Sequence, residues 1–173
     1  MSSDNDKIYQ PPFERLEWDG GWRNGTITLG LNVEAGLTVT PYDPDVSRIP
    51  SEFQGEALTY LTEHWKDTLA AVLRALLPYY ERMRPRYLDF LGVEAHRLMP
   101  VVPTVEELAA LIDLRQVHIH PWSKDGIGYV GLQFGCTWDR EHGLGVVIHR
   151  QRIANLGGAD ISFAWSPDEA DKL

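Results

Sequence analysis

The sequence predicts an α+β domain built on a mostly antiparallel sheet, and three observations carry that expectation. Apolar residues alternate with polar ones at both ends of the chain, roughly over 16–40 and 117–165. A single apolar stripe at helical spacing fills the middle. Glycine-bearing turns separate the alternating runs at the intervals that successive hairpins need.

At 173 residues, 43% hydrophobic and 24% charged, the chain fits one domain with a sizeable core. Residues 1–12 are polar and end in Pro11-Pro12, which predicts a loose tail. The domain itself is expected over 13–165, with 166–173 as an acidic tail.

Leu16 and Trp18 open the first strand, and Asp19-Gly20-Gly21 supplies a hairpin turn. Ile27, Leu29 and Leu31 point inward from the second strand, between Thr26 and Thr28. Asn32 to Gly36 is read as the next turn, and Leu37 to Thr40 as the third strand of a meander. Ser51 and Gln54 form a capping box ahead of the stripe Leu58, Leu61, Trp65, Leu69, Val72, Leu76. That stripe is too long for one ordinary helix, and Pro78 is expected to break or kink it, giving segments near 51–65 and 66–90. A second capping box, Thr104 to Glu107, opens a short helix.

Strands return at Val117 to His120. Ser123-Lys124-Asp125-Gly126 turns the chain into a long inward row of Val130, Leu132, Phe134, Cys136 and Trp138. Gly131 and Gly135 thin the other face of that strand, where a close neighbour, a bulge or a bound partner finds room. Leu144, Val146 and Ile148 lead back. Short strands are expected at Arg152 to Leu156 and Ile161 to Trp165.

Net charge is −9, from 16 basic and 25 acidic side chains. Such a surface repels phosphate backbones and anionic lipid, so neither nucleic acid nor membrane is an expected partner. A basic protein is the natural complement. The lone Cys136 excludes an internal disulfide, and its place on the apolar row predicts a buried thiol. The start of the chain lacks a secretory pattern and no apolar run reaches membrane-spanning length, so a cytoplasmic location is expected.

The most conspicuous stretch is Trp138-Asp139-Arg140-Glu141-His142-Gly143-Leu144-Gly145-Val146. An acid–histidine cluster this tight suits a general acid–base pair or a metal. It equally suits a structural turn, in which Asp139 accepts from its own backbone and Gly143 and Gly145 take dihedrals closed to other residues. A recognition surface is the third role. His118 and His120 share one face of a strand at metal-ligand spacing, with His142 or His149 as a possible third nitrogen; the default is a partly exposed polar face. No phosphate loop, nucleophile elbow or dinucleotide fingerprint occurs, so no catalytic residue and no cofactor is expected. Trp22, Trp122 and Trp165 sit at turns or ends and are candidate interface anchors.

The nine-residue stretch resembles the W-D-x-E-H-G-L-G-V signature of a family of bacterial domains of unknown function, some encoded among polymorphic-toxin and contact-dependent-inhibition immunity genes. Pro50 to Gln54, Tyr129-Val130-Gly131 and Gly157 to Asp160 extend the resemblance over roughly 13–165. It implies an α+β domain and a role in binding a protein, with Trp138, Asp139, Glu141, His142, Gly143 and Gly145 as structural motif or recognition surface. The expected function is therefore a non-catalytic, immunity-type module that occludes a basic toxin or another protein. The alternatives are a metal-dependent hydrolase using His118, His120, His142 or His149, and a housekeeping domain binding a small ligand on the glycine-thinned face.

Overall fold

Eight strands run in chain order across a single sheet, and one crossover interrupts their antiparallel pairing. The computed structural model describes residues 7–20, 22–164 and 166–173, apart from the side chain of Trp22. The strands are β1 (Lys7–Tyr9), β2 (Arg15–Asp19), β3 (Trp22–Leu29), β4 (Val33–Val39), β5 (Ile112–Lys124), β6 (Ile127–Cys136), β7 (Leu144–His149) and β8 (Arg152–Gly158). β4 and β5 pair in parallel because the whole helical segment lies between them. The fold is thus α+β and dominated by its sheet.

Helix α1 (Glu52–Glu63) starts where the capping residues predict, and Gln54 Oε1 accepts from the Ser51 N–H at 2.9 Å. The same glutamine is fully buried. Its Nε2 donates to the carbonyls of Thr40, at 2.7 Å, and His120, at 3.0 Å. One side chain therefore fastens the first turn of α1 to two strands. Helix α2 (Trp65–Leu91) follows after a break at His64 and runs through both Pro78 and Pro85. The stripe divides into two helices close to the expected 51–65 and 66–90, but the division falls at His64 and α2 is not broken at Pro78. Both prolines face solvent, where a carbonyl that loses its helical partner is hydrated, while Leu76 and Tyr80 stay packed on the core.

Beyond α2 come α3 (Ala95–Leu98) and α4 (Val105–Ala109). Tyr80 Oη donates to Pro100 O at 2.6 Å and Arg84 Nε to Met99 O at 2.9 Å, which holds the proline-rich connection against α2. Thr104 Oγ1 accepts from Glu107 N as the cap of α4. The main core lies between these helices and the sheet. Leu58, Leu61, Val72 and Leu76 meet Val117, Ile119, Leu132 and Val146 there, all buried. Each contributes about 1.5–3 kcal/mol by leaving water.

The other sheet face carries a smaller core of Tyr129, Val147, Ala154, Ala164 and Ala170. It is covered by a 3-10 segment, Ala159–Phe163, and by the short helix α5 (Pro167–Ala170). The expected strand at Ile161 to Trp165 is this 3-10 segment in its described part, and Trp165 lies outside the described residues. Gly131 explains the packing: a Cβ there would overlap the carbonyl of Ser162. The room that the glycines leave on this face of β6 is filled, at Gly131, by the chain itself.

Three boundaries also differ from expectation. Lys7–Tyr9 pairs with β2, so order begins inside the expected tail, where half-buried Ile8 packs against the core. The β3–β4 turn begins at Gly30, whose φ is +58°, so Leu31 is exposed at the turn instead of pointing inward. Residues 166–173 are folded onto the sheet: the N–H groups of Lys172 and Leu173 both donate to Ala154 O, and Asp171 pairs with Arg152. Among the described residues no helix is long and apolar enough to cross a membrane.

Candidate functional site

Two of the depressions that combine polar and aromatic side chains hold the sequence-predicted site residues, one on each side of the sheet. The first is a cleft of about 600 Å³ between the C-terminal half of α2 and the motif turn. Met83, Tyr87, Phe90, Leu91 and Leu98 line its helical side, and Trp138 to His142 the other. Trp138 is buried at its base and meets Tyr80 edge-on, with centroids 4.8 Å apart. Phe90 is 84% exposed beside it.

Asp139 organises this turn. Its Oδ1 accepts from the His142 backbone N–H at 3.1 Å and lies 2.9 Å from His142 Nδ1, while Oδ2 accepts from Tyr87 Oη at 2.9 Å. Burial alone would raise the Asp139 carboxyl, but the hydrogen bonds from His142 and Tyr87 outweigh it and hold the group below its ordinary value. Burial and the same carboxylate push Tyr87 up to about 12. Gly143 takes φ +69°, and a Cβ there would overlap the Phe134 carbonyl. At Gly145 a Cβ would crowd the backbone of Gly158 and Ser162. His142 therefore partners Asp139 and not Glu141, and Glu141 lies exposed. Cys136 is buried, which raises its thiol to about 11 and removes it as a nucleophile near neutrality.

The other depression is a cavity of about 680 Å³ on the opposite sheet face. His118 and His120 form part of its wall with Gln116, Gln133, Trp122 and Phe163. The expectation of a partly exposed pair is corrected here: the two histidines are only 3% and 2% exposed, because the 3-10 segment and Trp122 close over the end of β5. Among the described residues neither nitrogen of His118 nor Nε1 of Trp122 has a hydrogen-bond partner, and His120 Nε2 lies against the Ser162 backbone, which pulls that ring's value back slightly. Burial lowers His118 to about 4 and His120 to about 3, so both rings are neutral near pH 7. The Gln133 amide pulls His118 back slightly, although it falls short of hydrogen-bond geometry.

The four candidate metal histidines do not converge. His142 lines the cleft, and His149 Nε2 lies 2.8 Å from Lys124 O with its ring against Tyr129. Among the described residues no group of three or more His, Cys, Asp or Glu is placed to hold a metal. Trp122 is half-buried in the cavity wall; the side chains of Trp22 and Trp165 lie outside the described part of the chain. Sequence reasoning missed Tyr87, Gln133 and Phe163, and read Gln54 only as a cap. Tyr87 had a weak signal, as a polar residue on an otherwise apolar helical face.

These features define a sheet domain with a structurally satisfied motif turn. The chain belongs to the family described as Domain of unknown function (DUF6985), whose model matches residues 12–163. No curated protein and no solved structure matches it.

Proposed function

We propose that this chain is a non-catalytic protein-binding module of the immunity type, acting in the cytoplasm, with the motif cleft as its docking surface. The observation that carries the reading is the combination of exposed Phe90 with an acid–histidine turn whose carboxylate is fully engaged. A cleft whose aspartate already holds a tyrosine and a histidine offers shape and apolar surface in place of a free general base. Exposed aromatic side chains beside a buried tryptophan are the usual anchors of protein interfaces. Arg86 and Arg140 flank the cleft, in no salt bridge among the described residues, and would meet carboxylates or carbonyls of the partner. The net charge of −9 acts at longer range and favours a basic partner such as a toxin domain, with fast, salt-sensitive association.

The test is co-purification with the product of the adjacent gene, followed by Phe90→Ser and Arg140→Glu in the cleft. The expected result is capture of a basic partner and loss of capture in both variants with unchanged melting. A chain that captures nothing from its own genomic neighbourhood, or variants that bind as before, would overturn the reading.

A further inference from the structure

We infer that the 3-10 segment Ala159–Phe163 is an acid-released latch: protonation of His118 and His120 lifts it from the sheet while the helical core on the opposite face stays folded. The segment closes over both rings. His118 lies against Phe163 with centroids 3.9 Å apart, and His120 Nε2 lies against the Ser162 backbone. The two side chains are 3% and 2% exposed, and both nitrogens of His118 lack a hydrogen-bond partner among the described residues. A neutral imidazole tolerates such a place at the cost of an unmet hydrogen bond. An imidazolium needs water or an anion beside it, because a buried unpaired charge costs far more.

The described surroundings offer no such anion. Thr38, Thr40, Tyr42, Gln116, Trp122 and Gln133 stand around the rings, and none of them carries a carboxylate. Tyr129 of β6 and His149 of β7 share the same sheet face, ring against ring at 5.0 Å, and burial pushes Tyr129 up to about 12. Asp160, the segment's own acid, is exposed and acts on Tyr79 of α2 instead. Arg152 and Tyr129 hold Asp171 well below the ordinary carboxylate range, so it keeps its charge in mild acid and keeps residues 166–173 tied to β8. The rings also oppose each other, since a charge on His118 disfavours one on His120.

The segment is built to move alone. Ser162 Oγ donates to Ala159 O at 2.6 Å and Ala164 N–H to Ile161 O at 3.2 Å, so these bonds stay within the segment and its end. Ser162 rests on the sheet by packing at Gly131 and Gly145, and Phe163 is already 46% exposed. Lifting these five residues hydrates both rings while β5 stays paired to β4 and β6, and the core of Leu58, Val72, Val117 and Leu132 lies on the other face. The direction follows from proton binding. In the closed state burial holds the rings neutral until about 4 and 3, whereas hydrated rings protonate near about 6.5. Closure is therefore fully favoured above about pH 6.5. Below it each histidine multiplies the open population by up to about tenfold per pH unit, until the closed-state values are reached.

The experiment measures amide hydrogen exchange of the full chain at pH 7 and pH 5, corrected for the intrinsic rate at each, with and without a low concentration of urea. Protection across Ala159–Phe163 is expected to fall at least about tenfold at pH 5 and to ignore the urea, which marks a local opening. The amides of α1 and β6 are expected to stay at least about a hundredfold better protected at both pH values and to respond to urea, because they exchange by larger unfolding. The double variant His118→Phe/His120→Phe is expected to lose the fall, and His149→Gln to keep it. Should the double variant fail to fold, His118→Gln alone decides, with a fall at least about threefold smaller than in the native chain. The inference is overturned if the segment is protected equally at both pH values, or if it exchanges in step with α1 and with the same response to urea. It is equally overturned if the histidine variants keep the full fall or if His149→Gln abolishes it.

Discussion

At the motif turn both carboxylate oxygens of Asp139 are engaged, one by Tyr87 and one by His142. Across the sheet, both ring nitrogens of the buried His118 and the indole N–H of Trp122 have no hydrogen-bond partner among the described residues. The motif turn holds its conspicuous residue types in hydrogen bonds to one another, while the end of β5, plain in sequence, buries polar atoms without them. Residue type alone does not tell a satisfied polar atom from an unsatisfied one.

The largest effect is expected from Gly143→Val. It combines a β-branched side chain at φ +69° with overlap on the Phe134 carbonyl, and should cost about 3 kcal/mol or more. His142→Ala, one residue away on an exposed side chain, should cost under about 1 kcal/mol. A His142→Ala variant that melts as the native chain does and yet loses activity would restore a functional role for the turn. On the other face, Gly131→Ala should cost about 2 kcal/mol by displacing Ser162, and should raise amide exchange across Ala159–Phe163. Unchanged exchange there would mean that the 3-10 segment does not depend on that contact.

Acid behaviour sharpens the contrast. The unfolded chain protonates its histidines near about 6.5, but folded His118 and His120 resist until about 4 and 3. Their neutral burial leaves stability whole above about pH 6.5 and erodes it as pH falls toward 4, by up to roughly 1.4 kcal/mol per pH unit for each. Denaturant melts of the double variant His118→Phe/His120→Phe should show a flatter profile across that window. Asp139 behaves oppositely in range: its folded value is depressed, so its contribution is intact above about pH 4 and is lost only as pH falls through the lower folded value. A modest effect, about 1 kcal/mol, is expected from Tyr87→Phe, which removes one hydrogen bond to the carboxylate. An unchanged melting temperature would show that the cleft holds its shape without that bond.

Much of the fold was legible because its signals are local. The Ser51 and Thr104 caps, the alternation of Val130 to Cys136 and the Asp125-Gly126 turn, with φ +52° and +75°, each act over a few residues. What escaped was decided at long range. His118 is buried because a segment more than forty residues later covers it, and no periodicity near residue 118 encodes that cover. Gln54 has the pattern of a cap, yet its amide crosses to Thr40 and His120. The helix is not broken at Pro78 because a proline's cost depends on which side of the helix meets water.

The folded-back residues 166–173 have a consequence for the behaviour of the protein in a crowded solution. β8 is an outer strand of an open eight-stranded sheet, the kind of border along which chains add to one another and grow into aggregates. Ala154 O, midway along it, is occupied by the N–H groups of Lys172 and Leu173, and Asp171 clasps Arg152 and Tyr129. Along the opposite border, the described part of β1 is the three residues Lys7–Tyr9. The β8 margin of the sheet is thereby blunted against self-association by a fold-back of the chain's own last described residues.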